Sequence, residues 1–286
     1  MRPISELKMD FEMTRGLGDI IDVLKTAAMI QFRSFQLKDK PNEDFLNESE
    51  VCFDLFLEKR IKHPYLFDRR SLPSVIVVVT SDEGFLGELN TLLVNASLDQ
   101  KKSVSDELIV LGERGARYVE DMKLPFTFFP GISDECSYKE AEKLTAFLLK
   151  GYKKKFGRIV VVYAKFISFT VQKVTVEELL PYKRLRENRV KYPKWIMDEM
   201  LIEPGVNEAV CSLVEVWMNF MFLYIFWMSK QSEFGARIMH LEGSTQELSH
   251  MKQKLSFEYF RQVHSLRDKT IREISAAKIM MGKRGG

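Results

Sequence analysis

Residues 77–90, VVVTSDEGFLGELN, are the segment most suggestive of chemistry, a β-branched run followed by Gly84 and Gly87. A glycine-rich turn after a strand lets backbone N–H groups approach a phosphate, and in nucleotide hydrolases a Lys-Ser/Thr pair follows it. Here Glu88 follows, and its carboxylate repels phosphate. A structural strand-to-helix turn suits these residues better. Asp82 stands at a strand end as a phospho-acceptor would, without the acidic cluster that would hold a metal ion. The four histidines, His63, His240, His250 and His264, include no i, i+4 pair for a helical metal site. The chain lacks Gly-x-Ser-x-Gly, Cys-x-x-Cys and His-Glu-x-x-His. These residues make no active site, and no cofactor or metal is expected.

Two basic stretches remain. Lys153, Lys154, Lys155 and Arg158 close a predicted helix, where cations complement the dipole. Lys183, Arg184, Arg186, Arg189, Lys191 and Lys194 fall in a loop suited to an anionic lipid surface or an acidic partner. The whole chain is nearly balanced, with 43 Lys and Arg against 40 Asp and Glu, for a net +3. That argues against nucleic-acid binding, which calls for a strong basic excess. Three distant cysteines, Cys52, Cys136 and Cys211, predict a reducing compartment rather than a disulfide framework. The N-terminal MRPISELKMDFEM has no signal-peptide core. The uncharged run 216–228, VWMNFMFLYIFWM, is shorter than the roughly 20 residues of a membrane span.

The elements that must carry these residues fall into three zones. Helical spacing over 4–37 and 43–61 is broken at Lys40-Pro41-Asn42 and ended at His63-Pro64. Gly16 and Gly18 inside the first helix each cost about 1 kcal/mol against Ala, so a partner helix is expected. From 72 to 178, apolar strands at 74–80, 107–111, 126–129 and 158–163 alternate with helical patterns, one of them at 138–155. This order predicts a largely parallel sheet with right-handed crossovers, closed by an antiparallel edge strand at 166–176. In the third zone, steps of four and three from Val206 to Leu266 meet only four polar residues, Gln231, Thr245, Lys252 and Gln262. A sustained heptad predicts a coiled coil, and a helix over 205–281 would be about 115 Å long. The predicted fold is an α/β domain inserted between long N- and C-terminal helices that form an antiparallel coiled coil. Its parts are a helical arm at 1–62, a Rossmann-like foot at 72–180, a basic loop at 181–204 and the long helix at 205–286.

Within that architecture, residues 77–90 resemble the V-x-S-D-R-G-L-C-G-x-L-N segment of the F-type ATP synthase gamma subunit. Ser232-Glu233-x-x-Ala236-Arg237-x-x-x-Leu241-x-x-x-Thr245 resembles that family's S-E-x-x-A-R-M-x-A-M-x-x-A-T helix. Residues 177–181, EELLP, look like its strand end, and Thr14-Arg15 and Ile271-x-Glu273-Ile274 are similar to its terminal helices. The resemblance spans the whole chain in order. There are departures: Glu83 stands where the family usually has Arg, and Glu88 where it has Gly. Asp19, Ala28, Ile30 and Gln31 occupy its basic positions, and Val263 and His264 its Arg-Gln pair. Its terminal Thr-x-Glu-x-x-Glu pattern is reduced to Asp268-x-Thr270-x-x-Glu273.

The resemblance implies a non-catalytic central rotor shaft that couples ion translocation to ATP synthesis or hydrolysis. It implies alpha- and beta-type nucleotide-binding subunits, an epsilon-type subunit and a membrane ion-translocating ring as partners, with no nucleic acid. The implied location is peripheral, on the cytoplasmic face of the plasma membrane or the equivalent face of an organelle inner membrane. Partner-contact candidates carried over with the motifs are Thr14, Arg15, Ser81, Asp82, Gly84, Asn90, Arg237, Thr245, Ile271 and Glu273. Two other readings stay open on the residues alone. One is a non-rotary coiled-coil scaffold with an α/β docking domain; the more distant one is a nucleotide-dependent enzyme.

Overall fold

The computed structural model describes residues 2–37, 43–67, 72–183 and 201–282. The basic stretch 184–194 therefore lies outside the described residues. The helices are α1 (Ile4–Gln36), α2 (Glu43–Glu58), α3 (Leu89–Asp99), α4 (Glu113–Asp121), α5 (Tyr138–Tyr152) and α6 (Val206–Gly282). The strands are β1 (Ser74–Val79), β2 (Glu107–Leu111), β3 (Thr127–Phe129), β4 (Arg158–Ser168) and β5 (Val171–Leu180). The chain divides into two compact units, Gln31–Arg237 and Met1–Ile30 with Ile238–Gly286.

In the Gln31–Arg237 unit the strands form one sheet in the order β3-β2-β1-β4-β5. β1 pairs in parallel with β2 and β4, β2 in parallel with β3, and only β5 runs antiparallel, beside β4. β1 is central and apolar after Ser74 because both of its faces are covered; Val75, Ile76, Val77 and Val78 are wholly buried. Ile76, Val78, Leu108 and Val110 pack with Leu89, Leu93 and Val94 of α3, Val119 of α4 and Ala236 of α6. α5 starts at a capping box, in which Ser137 Oγ accepts from the Lys139 N–H and the Glu140 carboxylate accepts from the Ser137 N–H.

The alternation over 166–176 predicts a single edge strand, and the structure corrects that. The run is split by a two-residue turn at 169–170, so its first part extends β4 and the rest opens β5. No Gly, Pro, Asn or Asp marks this turn, which is why composition hides it.

The aromatic residues of α6 find their partners here. Phe53 of α2 is wholly buried, stacked on Tyr182 at 4.1 Å and edge-on to Trp217 at 5.3 Å between ring centroids. Phe45 meets Phe220, and Phe35 meets Trp227 and Phe234. One window of α6 is long and apolar enough to cross a bilayer by composition. Its Trp217, Met218, Phe222, Ile225 and Phe226 are buried in protein.

In the other unit α1 and α6 run antiparallel. Lys25 Nζ lies 3.1 Å from Glu242 Oε2, Thr14 Oγ1 4.0 Å from Met251 Sδ, and Lys252 sits over the Phe11 ring. The inward stripe of α1 is Leu7, Phe11, Thr14, Gly18, Ile21, Lys25 and Ala28, all buried or half-buried at alternate steps of four and three. Ile238, Leu241 and Leu255 of α6 are buried in the same way.

Truncating the best-packed ring of the aromatic cluster tests this account. Phe53→Ala is expected to destabilise the Gln31–Arg237 unit by about 3–5 kcal/mol, the usual cost of deleting a buried phenyl group. Chemical denaturation of the purified chain measures it, and a loss below 1 kcal/mol would mean the cluster is not packed this way.

Candidate partner-contact site

At the carboxyl edge of the sheet the loop after β1 is held at almost every polar atom. The Ser81 N–H donates to Asn90 Oδ1 (3.2 Å), Asn90 Nδ2 donates to Ser81 Oγ (2.9 Å), and Ser81 Oγ donates to the Glu83 carbonyl (2.8 Å). Asp82 Oδ1 accepts from the Glu113 N–H at 2.9 Å, placing a carboxylate on the N-terminus of α4, where the helix dipole favours it. Gly112 precedes that helix at φ 95°, a backbone angle that favours glycine. Any Cβ at Gly131 would collide with the Asp82 carboxylate, so this loop too approaches as closely as backbone allows.

The long helix closes the edge. Lys230, Glu233 and Arg237 lie on one stripe of α6 and are each less than a tenth exposed. Arg237 Nη2 reaches Glu233 at 2.7 Å and Glu83 at 3.0 Å, and its Nε donates to the Gly84 carbonyl at 3.4 Å. Lys230 Nζ contacts Glu233 at 3.1 Å and Asp134 at 3.2 Å. Burial alone would lower the Lys230 pKa; attraction to Glu233 and then Asp134 outweighs it, so the ammonium is held above its ordinary value. Under this lid the cavity bounded by Thr80, Ser81, Asn90 and Ser229 measures about 20 Å³, room for one water and not for a phosphate. A second recess of about 380 Å³ is lined by Leu111, Phe129, Ile132 and Phe226; its charged residues are Lys143 and Glu140, and Glu140 is engaged in the cap of α5. Among the described residues no three His, Cys, Asp or Glu side chains converge on a common point.

The sequence-derived candidates fall into three groups. Ser81, Asp82, Gly84, Asn90 and Arg237 come together at this edge and bind one another or neighbouring backbone. Thr14 and Thr245 sit in the helix pair, each donating its hydroxyl to its own helix, to the Asp10 and Leu241 carbonyls respectively. Arg15, Ile271 and Glu273 are exposed, Ile271 by 61%. Sequence reasoning passed over Lys230 and Asp134. The detectable signal was Lys230-x-x-Glu233-x-x-x-Arg237, three charges on one face directly after an apolar helix run.

The raised Lys230 pKa has a pH signature. Stability gained this way is complete below the unfolded-state value near 10.5 and is lost as pH rises through the higher folded value. Lys230→Met is expected to cost about 1–3 kcal/mol at neutral pH. Its deficit against the natural chain should shrink above pH 10.5. Urea midpoints across the alkaline range measure both, and a pH-independent deficit would remove Lys230 from the network.

Known proteins share both pattern and fold. The ATP synthase family pattern matches residues 4–275. An ATP synthase gamma chain of Clostridium botulinum (strain Loch Maree / Type A3) is 25% identical over 268 residues, covering 92% of this chain and 90% of its own. One from Clostridium kluyveri is 27% identical over 278 residues, covering 96% and 94%. A chain of the Euglena gracilis mitochondrial ATP synthase, from its OSCP/F1/c-ring assembly, superposes with TM-score 0.71 at 16% identity over 99% of this chain and 96% of that one. A rotor chain of the same enzyme gives 0.63 at 14%, over 92% and 98%. At such identities the superpositions establish a common fold, while the family pattern covers nearly the whole sequence. The chain belongs to the ATP synthase gamma family.

Proposed function

We propose that this chain is the central rotor shaft of an F-type rotary ATP synthase or ATPase. The single observation that carries the reading is the family match across residues 4–275, with both chain ends paired as helices. The shaft is non-catalytic; ATP chemistry belongs to the beta subunits around it. Its work is mechanical coupling between ion flow through a membrane ring and the affinity states of the catalytic sites. Only differential contact can bias one conformation over another, so an asymmetric shaft that turns among like subunits favours a different state in each.

Its partners on this reading are the alpha- and beta-type subunits, an epsilon-type subunit and the membrane ring. The chain sits peripherally in a membrane-bound complex, on the cytoplasmic face of the plasma membrane or the equivalent face of an organelle inner membrane. Arg15, Ile271 and Glu273, being exposed, contact surrounding subunits. Thr14 and Thr245 serve the helix pair. Ser81, Asp82, Gly84, Asn90 and Arg237 shape the carboxyl edge that partners meet.

Native affinity purification of the tagged chain tests the reading. Two homologous nucleotide-binding subunits in about threefold excess, with ATPase activity in the eluate, are expected. Recovery alone, or with unrelated proteins, would favour a scaffold that kept the fold without the rotary role. In the recovered complex, Arg15→Ala, Ile271→Ala and Glu273→Ala should lower the ratio of ion pumping to ATP hydrolysis. Unchanged ratios in all three would withdraw those contact assignments.

A further inference from the structure

Thr14, Thr26, Ser49, Ser244, Thr245 and Thr270 each turn their hydroxyl back on the carbonyl four residues earlier in the same helix. Ser229 on α6 does not. It is nine-tenths buried, and its Oγ has no hydrogen-bond partner among the described residues. Burying a hydroxyl without a partner costs free energy, so an orphan of this kind calls for an explanation. Ser229 also lines the recess of about 20 Å³ at the carboxyl edge of the sheet, whose other polar residues are Thr80, Ser81, Asn90 and Glu233.

The size and the spare valences of this recess define its occupant. A water needs about 10–15 Å³ of such space and about two to four polar partners. Leu86, Leu89 and Ile132 supply apolar walls. Asn90 Nδ2 spends one proton on Ser81 Oγ and keeps the other, while Asn90 Oδ1 accepts from the Ser81 N–H. Glu233 gives one carboxylate oxygen to Arg237 and the other to Lys230, and each oxygen retains a lone pair. Ser229 can both donate and accept. What fits is a small group with donors and acceptors of its own. An anion would face the Glu233 carboxylate in a space too small for phosphate. A cation would face Lys230 and Arg237, already drawn to that carboxylate. A neutral water meets neither objection.

We propose that this recess holds one resident water, which pairs with the Ser229 hydroxyl and carries the polar network of α6 across to Asn90. The ionic ladder and the turn after β1 then form one connected system. The water's place depends on the fold and not on the rotor role.

Ser232 supplies the control. It lies one turn farther along α6, is wholly buried and has an equally partnerless hydroxyl, yet it does not line the recess. Serine to alanine gains the same helix propensity at both positions and, where a hydroxyl is merely orphaned, removes the cost of burying it. Thermal melts of the full chain compare the two. Ser229→Ala is expected to melt about 2–4 °C below Ser232→Ala, because only the former takes a partner from a bound water. Equal melting temperatures, or a higher one for Ser229→Ala, would overturn the proposal. A high-resolution map of the full chain gives a direct readout. One peak is expected within hydrogen-bond reach of Ser229 and Asn90, and its loss in Ser229→Val, whose methyl groups fill the recess. An empty recess in a map that shows other buried waters would overturn the proposal, as would a peak with the short, many-oxygen coordination of a metal ion.

Discussion

Three charges buried on one stripe of α6 set the terms for the whole carboxyl edge of the sheet. Lys230, Glu233 and Arg237 are removed from water, and charges so placed are tolerable only when paired and hydrogen-bonded. Within the helix they form a ladder that leaves capacity to spare, and loops take it up, Asp134 on one side, Glu83 and the Gly84 carbonyl on the other. With Glu83 paired, Asp82 lies at the start of α4, its carboxylate occupies the space a Cβ at Gly131 would need, and the Ser81–Asn90 pair closes the turn. Two loops are thereby fixed to one helix by geometry that a change of register would break. Buried ion pairs contribute little net stability compared with apolar packing. What they provide here is a defined position for α6 against the sheet.

The helix pair is held by weaker means. Its seam includes Thr14, Gly18 and Lys25 on α1 and Thr245 on α6, none of them a strong knob. The threonine hydroxyls bond back to their own helices four residues earlier, as do Thr26 and Thr270 outside the seam. Such hydroxyls are satisfied chiefly within their own helices, Thr14 alone among these four also reaching across the pair to Met251 Sδ at 4.0 Å. Lys25 adds the ionic contact of the pair: its hydrogen bond to Glu242, partly offset by desolvation and helped by Asp22, holds its pKa above the usual lysine value and that of Glu242 below its ordinary value.

Much of this was legible in the sequence. The heptad from Val206, the β-branched run of β1 and the S-x-x-E box at Ser137 are local patterns set by local physics, and they lie where their periods put them. The β4–β5 turn was not legible, since Phe169-Thr170 has no turn residue and the alternation runs through it. The ladder on α6 was only half legible. Charges three and four apart on a helix ordinarily mark a solvated face, and only the covering sheet makes them buried. Asp134 is some hundred residues from Lys230, a pairing no period encodes. The departures from the gamma pattern gain sense from placement: Asp19 and Ile30 are exposed on α1, and Glu83 pairs with Arg237.

For a chain without an active site, function resides in which surfaces are spent internally and which are left open. Motif matching cannot separate the two. Thr14 and Thr245 belong to the family-like segments, yet their hydroxyls are consumed within their own helices; Arg237 is as motif-like and is locked to Glu83 and Glu233. Among the open surfaces is the outer side of α1, where Asp19 and Ile30 replace the basic residues of the family pattern. An isolated α1–α6 pair would gain little from apolar side chains on that side, since they lower solubility and bury nothing. The ionic ladder fixes α6 within its own unit, while the helix pair rests on its buried apolar rows and the Lys25–Glu242 contact and leaves apolar side chains of α1 exposed.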